Sequence, residues 1–203
     1  MTTISESSRR GPRAASPTAG QSLYGAAAEY GLHCLTWLVG RETPASSRDL
    51  AELQGAPASM VAKILSKLEK AGIVASTGGI GGGYLLARPP EAITVLDVVD
   101  AIDGRRSVFN CKDVRENCVL FSGGVPAWAN RSVCGIHAVM LRAEKSMRAE
   151  MARTSLLAIV QGVPAPSEFV PEVSGWLDAR VATREQTRIT AVRAGARRRS
   201  TDG

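Results

Sequence analysis

The sequence predicts a mainly α-helical protein with one small β-hairpin near its middle and a long helix after the hairpin. Two short stretches with apolar residues at helical spacing lie between residues 46 and 72. A short β-branched stretch, a glycine run and a second apolar stretch follow, which is the pattern of a hairpin. Another helical stretch, after residue 132, has a narrow apolar stripe that is typical of a helix packed on a partner helix.

The chain begins with a polar stretch. Residues 1–21 carry Arg9, Arg10 and Arg13 with no apolar segment behind them, so we expect a disordered N-terminal tail rather than a leader peptide. No apolar run in the sequence approaches the roughly 18 residues that a membrane span needs. We therefore expect a cytoplasmic protein that does not bind a membrane.

The first predicted helix covers residues 23–39. Its apolar stripe includes Cys34, which we expect to be a buried core residue. Glu29 and His33 are four residues apart and so lie on one face of this helix, close enough to share a ligand. Taken alone, the pattern is more typical of an ordinary ionic pair at the surface than of a ligand site.

Two short helices form the centre of the prediction. Ser46 can cap the first of them, with Asp49 near its positive end, and Gln54 to Ala56 form the turn. Pro57 suits the first position of the second helix, which ends at Gly72. The outer face of this second helix is small and basic, so it either enters a major groove of DNA or is simply solvated. That face includes Ala58, Ser59, Ala62, Lys63, Ser66, Lys67 and Lys70.

The predicted hairpin consists of residues 73–77 and 84–88, joined by the glycine run. Glycine runs also cradle phosphates in nucleotide-binding proteins, but such a cradle requires a helix directly after the glycines. A second strand and two prolines follow here, so we exclude that interpretation. Helix, turn, helix and hairpin together predict a winged helix-turn-helix domain over residues 22–104, with double-stranded DNA as its partner.

A capped helix that starts after Thr94, with Asp97 in the capping position, closes this domain. The irregular segment over residues 105–131 and the start of the next helix contain three cysteines, Cys111, Cys118 and Cys134. Clustered thiols in a protein with no sign of secretion indicate metal, cluster or redox chemistry rather than disulfides. Their spacing matches no zinc or ferredoxin pattern, so spacing alone leaves a site and incidental cysteines open.

Residues 132–162 are predicted as a dimerisation helix with Ser132 as its cap, and residues 163–203 as an arginine-rich, disordered tail. The apolar stripe of the helix comprises Ile136, Met140, Ala143, Met147 and Met151. The net charge is +6, and the two ends of the chain carry most of it. The tails either keep the chain solvated or add attraction to DNA that is independent of base sequence.

The segment GGIGGGYLLARPPEAITVLDVVDAIDG, residues 78–104, resembles the IscR/NsrR family of winged helix-turn-helix transcription regulators, and the resemblance extends over about residues 22–160. The resemblance implies homodimers that bind palindromic operators, with the second short helix in the major groove and the wing on the backbone or minor groove. We therefore expect DNA contacts from Ser46, Ser47, Ala58, Ser59, Lys63, Lys67, Gly81, Gly82 and Arg88.

Members of this family hold an iron-sulfur cluster with cysteines of the same loop. The run EYGLHC, with Glu29 and His33, is most similar to the redox-sensing RsrR branch. That similarity implies a [2Fe-2S] cluster bridging two subunits, with Glu29 and His33 from one and two of Cys111, Cys118 and Cys134 from the other. His137 matches a histidine ligand of the IscR branch, but we assign it to the helix start or to a hydrogen bond with a ligand.

These expectations combine into a homodimeric, cluster-dependent regulator that senses redox state or nitric oxide. Imidazole in place of thiolate raises the reduction potential of such a cluster, which suits redox cycling in the cell. The alternative is a cluster-free winged-helix repressor controlled by direct thiol oxidation or by a partner protein. An enzyme is not expected, because the sequence offers no nucleophile and base pair and no nucleotide loop for a small-molecule substrate.

Overall fold

The structure, a computed structural model, describes residues 22–79 and 81–201 of the 203-residue chain. The predicted N-terminal tail therefore lies outside the described residues. Within them, no helix has the length and apolarity needed to cross a bilayer. The helices are α1 (Ala26–Leu38), α2 (Ser47–Gln54), α3 (Ala58–Lys70), α4 (Val95–Asp103), α5 (Ala127–Asn130), α6 (Gly135–Arg153), α7 (Leu156–Gly162) and α8 (Phe169–Thr201), and the strands are β1 (Val74–Thr77) and β2 (Gly83–Leu86).

Helices α1 to α4 enclose the main hydrophobic core. Apolar residues at helical spacing bring Leu35 of α1, Leu50 of α2 and Leu65 of α3 into one fully buried cluster. Gly31 allows α1 to approach its neighbours, because a Cβ there would lie 2.2 Å from Cδ1 of Ile102 on α4. The predicted mainly helical fold with a small β wing is confirmed.

The predicted turn between α2 and α3 is present. The hydroxyl of Ser46 accepts a hydrogen bond from the backbone N–H of Asp49, which caps α2 as expected. Gly55 ends α2 with φ of 63°, in the left-handed region that favours glycine. Pro57 is the N-cap of α3 instead of its first helical residue, because its ψ of 123° is extended.

The wing is an antiparallel hairpin in which Val74 pairs with Leu86 and Thr77 with Gly83. Its second strand is also fixed to the segment before α2. The backbones of Ala45 and Tyr84 exchange two hydrogen bonds of 3.1 and 2.9 Å. Gly83 is required at this contact, because a Cβ there would lie 2.5 Å from the carbonyl oxygen of Ala45. The wing and the start of α2 therefore form one connected surface.

Helix α4 begins with the predicted capping box between Thr94 and Asp97. The guanidinium of Arg148 on α6 donates two hydrogen bonds, of 3.0 and 2.6 Å, to the carboxylate of Asp100 on α4. Paired donors of this kind fix orientation as well as distance. This contact holds α6 against the winged-helix core.

Two segments differ from the prediction. Helix α6 begins at Gly135 after Cys134, not after Ser132, because the ψ angle of Cys134 is 135° and so is extended rather than helical. The segment expected to be a disordered tail contains α8, a helix of 33 residues. Its first half buries Val173, Leu177 and Val181, so apolar packing on the domain compensates for the loss of chain entropy.

Candidate nucleic-acid interface and cysteine loop

The outer face of α3 is open to solvent. Val61, Ile64 and Leu65 bury the opposite face, so the helix is fixed from behind. Ala58, Ser59 and Lys63 are exposed, as is required of residues that enter a groove of DNA. The small side chains at the first turn of α3 leave room for a base edge near its N-terminus.

Two of the predicted DNA contacts have partners within the chain. The ammonium of Lys67 donates to the carbonyl oxygen of Ile102 at 2.5 Å, near the negative C-terminal end of α4. The guanidinium of Arg88 lies 3.5 Å from the Asp97 carboxylate, and the buried Arg88 Nε has no hydrogen-bond partner among the residues that the structure describes. Both side chains stabilise the domain in this structure, and each would have to exchange its partner to bind a phosphate.

The remaining predicted contacts lie around the start of α2 and the tip of the wing. The hydroxyl of Ser46 donates to the carboxylate of Asp49 at 2.6 Å, and Ser47 follows as the first residue of α2. Gly81 and Gly82 are half-buried at the wing tip, where the Gly82 N–H donates to Gly79 at 3.2 Å. These four residues lie on the connected surface of α2 and the wing.

Asp49 is the centre of an ionic cluster that the sequence reasoning missed. Its side chain is only 3% exposed, and Arg180 and Arg184 of α8 both contact it. Burial by itself raises the pKa of this carboxyl, but the hydrogen bonds from Ser46 and Arg184 outweigh burial and lower the pKa below its ordinary value. Arg180 also pairs with Glu52. A partner more than 120 positions away leaves no local pattern in the sequence, so only the structure identifies it.

The loop between α4 and α6 brings two of the three predicted cysteine ligands into one cavity. Cys111, Cys134 and His137 line a cavity of about 530 Å³. Cys118 lies outside that lining, at the N-cap of a short 3-10 turn, and is partly exposed like the other two. The structure thus places His137, which we had assigned a secondary role, beside the cysteines.

Side chains of α6 and of the loop fix this cavity from both sides. Arg115 donates to the carbonyl oxygen of Ser132 at 2.7 Å, which holds the segment after Cys111 close to the start of α6. The Glu144 carboxylate accepts hydrogen bonds from the Ser107 hydroxyl at 3.2 Å and the Val108 N–H at 3.1 Å. The loop is therefore linked to α6 through Glu144.

Cys134 has the electronic character of a ligand or a reactive thiol. As the N-cap of α6 it faces the backbone N–H groups of His137 and Ile136, which lower the pKa of the thiol. Thiolates near helix N-termini are more nucleophilic and better metal ligands than ordinary thiols at neutral pH. The donor set of the loop, thiolates with an imidazole nearby, fits an iron-sulfur cluster chemically.

Glu29 and His33 lie apart from the cysteines. Both are exposed on α1, and His33 lines a different cavity, between α1, α7 and α8. In the part of the chain that the structure describes, no three His, Cys, Asp or Glu side chains gather as a metal site. One chain alone therefore does not assemble the predicted ligand set, which was expected to draw on two subunits.

Cys34 differs from the other thiols, as predicted for a core residue. It is fully buried in α1, and burial raises its pKa to about 11 despite a hydrogen bond donated by Gln54 at 3.0 Å. A neutral thiol in an apolar environment neither binds metal nor reacts readily.

Comparisons with known proteins agree with this geometry. A sequence model of the Rrf2 family, described as an iron-dependent transcriptional regulator, matches residues 24–162. Over 81 residues the chain is 40% identical to the HTH-type transcriptional regulator IscR of Aliivibrio salmonicida, covering 40% of this chain and 48% of that protein. Over 79 residues it is 38% identical to protein rrf2 of Nitratidesulfovibrio vulgaris, covering 39% and 53%. The alignments thus span about half the length of these curated relatives.

Solved structures show the same fold. CymR, the global cysteine regulator of B. subtilis, has a TM-score of 0.54 at 20% identity, covering 68% of this chain and 96% of CymR. IscR of T. potens has a TM-score of 0.52 at 20% identity, covering 73% and 97%. The resemblance that the wing segment indicated is confirmed. Because the family model matches more than half of its residues, the chain belongs to the Rrf2 family of DNA-binding transcription regulators, which are not enzymes.

Proposed function

We propose that this regulator is a homodimer that binds palindromic operators and that a [2Fe-2S] cluster sets its affinity for them. One observation carries the proposal. Three partly exposed cysteines lie in the segment that leads from the winged-helix core into α6, and α6 buries none of its 19 residues within its own chain. The thiols are thus coupled to a helix that has surface available for a second copy.

The dimer part of the proposal rests on the apolar side chains of α6. Ile136 is 69% exposed, and Val139, about one turn further along the same side of the helix, is 53% exposed. Exposed aliphatic residues one turn apart on a long helix are typical of subunit interfaces. Pairing of α6 with its copy would set the separation between the two α3 helices, and an operator with two half-sites depends on that separation.

We propose that the residues that bind the cluster come from both subunits of the dimer. When bound, the cluster would supply one-electron redox chemistry. Glu29 and His33 of one subunit would complete a site begun by two of the loop cysteines of its partner, so α1 and the loop would be held together across the dimer. The structure supports a second set as well, because Cys111, Cys134 and His137 already line one cavity.

Purification without oxygen tests the cluster directly. Visible absorption, iron and acid-labile sulfide are measured for the wild type and for single alanine variants of Glu29, His33, His137 and each loop cysteine. Loss of bound iron in Glu29→Ala or His33→Ala, with His137→Ala unaffected, supports the cross-subunit set. Loss only in His137→Ala and the cysteine variants supports a site within one loop. No iron in the wild type after reconstitution contradicts cluster dependence.

Operator binding tests the DNA-reading role of α3. We expect Lys63→Ala to weaken binding to a selected operator by about 10-fold or more, because a contact to a base or phosphate is worth about 1–3 kcal/mol. Lys145→Ala removes the same charge from an exposed position on α6 and should leave affinity within about 2-fold. Equal affinities for the two variants would contradict the role of Lys63.

Direct thiol oxidation is a second candidate. One of the structures with this fold is the oxidised form of CymR from Staphylococcus aureus, with a TM-score of 0.51 at 19% identity. In this chain Cys111 and Cys134 share one cavity without the need for a partner subunit. If the wild type binds no iron but peroxide changes its operator affinity, and Cys134→Ser abolishes that change, the second candidate replaces the first.

A further inference from the structure

Helix α8 lies beyond the matched family segment and consists of two unlike halves. The proximal half, residues 169–185, is docked on the winged-helix domain through Val173, Leu177 and Val181, each at most 7% exposed. The distal half, residues 186–201, continues as helix past that docking surface. Its 16 residues extend about 24 Å at the ordinary helical rise.

Polar contacts fix the direction of the proximal half. The buried guanidinium of Arg41 donates to the Asp178 carboxylate at 2.7 Å and to the carbonyl oxygen of Ser174 at 3.3 Å. On the other side of the helix, Arg180 and Arg184 contact Asp49 at the start of α2. Arg180 is also held 4.9 Å from the ring centroid of Trp176. A helix held through several faces has a defined axis rather than a range of directions.

That axis passes the tip of the wing. A Cβ on Gly81 would lie 2.7 Å from a carboxylate oxygen of Glu185 and 3.7 Å from a methyl carbon of Val181. Glu185 is therefore the point at which α8 leaves the domain. The departure point adjoins the wing and the start of α2, the surface on which the expected contacts Ser46 and Gly81 lie.

The charge of α8 changes at the same point. The proximal half contains three acidic and two basic residues, whereas residues 186–201 contain five arginines and no acidic residue. Arg188 is exposed, and so are the nearby Ile189 and Val192. A dense positive charge attracts a polyanion such as DNA. Because this helix starts beside the surface expected to contact the operator, the phosphates within its reach are those that flank the operator.

We propose that the distal half of α8 is a second DNA contact, which binds phosphates outside the operator without reading base sequence. This proposal rests on the proposed DNA-binding role of the wing and α3. The docked proximal half sets the direction in which the distal helix extends from the wing, so the entropic cost of ordering this arginine-rich segment is met before DNA binds. The contact would lengthen the DNA segment that each subunit covers.

Salt dependence and DNA length test the proposal together. The full chain first selects an operator from a random duplex library. Binding is then measured from about 50 to 200 mM salt on a short duplex that ends at the operator and on one longer by about 10 bp at each end. In the variant Arg197→Gln, Arg198→Gln, Arg199→Gln we expect the log–log salt slope on the long duplex to fall by about 2 to 3, since each phosphate contact contributes about 0.9. Affinity for the short duplex should change by less than about 3-fold.

A charge-matched variant separates position from net charge. Changing Arg9, Arg10 and Arg13 to glutamine also removes three positive charges, but from the other end of the chain. It should leave the difference between long and short duplexes intact. Glutamine favours helix about as well as arginine, and circular dichroism verifies that α8 is retained in the first variant.

Three results would overturn the proposal. One is a salt slope on the long duplex that is unchanged by the α8 substitutions. Another is an equal loss in the N-terminal variant, which would make the effect one of net charge. The third is tighter binding by the α8 variant, which would make α8 an inhibitor of binding. Failure of the proposed function is distinct, because the full chain would then select no operator and Lys63→Ala would bind every duplex as the wild type does.

Discussion

Helices α3 and α6 use their apolar residues in opposite ways. Of the 13 residues in α3, four are buried in the core of the same chain, whereas α6 buries none of its 19. A helix gains most of its stability from the face that it buries, so α3 is stabilised by its own chain. Helix α6 contacts α4 and the loop but buries no residue there, so it gains stability from a further surface. The winged-helix domain that contains α3 therefore buries its apolar residues within one chain. The cysteine loop and α6, which we propose sense the signal, do not.

The thiols divide in the same way. Cys34 is enclosed by the core, where it acts as a small apolar side chain. Cys111, Cys118 and Cys134 are partly exposed in the loop and at the start of α6. The thiols that metals or oxidants could reach therefore all lie in the region that the core does not cover.

Native-state alkylation gives the largest contrast between the two regions. With iodoacetamide at pH 8 and no metal present, we expect the three loop cysteines to react and Cys34 to react at least about 1,000-fold more slowly. Burial raises the pKa of Cys34 to about 11, and attack requires the core to open. Mass spectrometry should count three labels in native protein and four in denaturant. A fourth label at the native rate would contradict the buried position of Cys34.

Truncation of one aliphatic side chain in each region is the next test. Leu65→Ala should lower the free energy of unfolding by about 3 kcal/mol, since Leu65 is fully buried. Val139 is 53% exposed on the side of α6 that faces away from α4, so Val139→Ala should change unfolding of the isolated chain by less than about 1 kcal/mol. It should instead weaken dimerisation, as measured by sedimentation. Equal destabilisation by both variants would remove the distinction between the two regions.

The ionic cluster between α2 and α8 should contribute somewhat less to the free energy of unfolding than the buried side chain of Leu65. We expect Asp49→Asn to cost about 2 kcal/mol in urea unfolding at pH 7, because two arginines lose a buried partner. The folded pKa of Asp49 lies below its unfolded value, so this stability is present above the unfolded pKa of about 4 and disappears as pH falls through the folded pKa.

The difference between wild type and Asp49→Asn should therefore shrink in acid. Glu150→Gln is the control, because Glu150 pairs with Arg153 and both side chains are exposed. It should cost less than about 1 kcal/mol. If Glu150→Gln destabilises as much as Asp49→Asn, the cluster around Asp49 is not what holds α8.

The smallest expected effect concerns the capping box of α4. Thr94→Ala removes the hydroxyl that accepts from the Asp97 N–H at 3.1 Å and should cost about 1 kcal/mol. Thr183→Ala on the exposed face of α8 should stay within about 0.5 kcal/mol. Thermal unfolding of both variants measures the difference.

Local patterns explain why much of the fold could be predicted. Ser46 and Thr94 cap helices through contacts three residues away, and Gly55 ends a helix through its own backbone angle. Such features depend only on neighbours in the chain. The wing was predictable for the same reason, since its two strands are joined by one short turn.

What could not be predicted depends on contacts between distant residues. The docking of α8 relies on Asp49 and Arg184, which no periodicity connects, and its arginine-rich composition resembles that of a disordered tail. The position of His137 beside Cys111 likewise follows from how the loop folds back on α6. The pattern of one sequence does not identify the residues that would bind a cluster between two subunits. The roles of Glu29 and His33 stay predictions.

The fixed end of α6 gives that helix the mechanics of a lever. Backbone hydrogen bonds from Val95 to Thr154 at 3.0 Å and from Leu156 to Ile93 at 2.8 Å clamp its C-terminal end to the winged-helix core as a fulcrum. Cys134 lies at the opposite end, about 28 Å away along the axis. A tilt of about 5° at the fulcrum corresponds to a displacement of about 2.5 Å at that cysteine. Helix α6 is long enough for a small rotation near the winged-helix core to move the thiols by ångströms. Conversely, an ångström-scale movement at the thiols would rotate the other end of the helix by a few degrees.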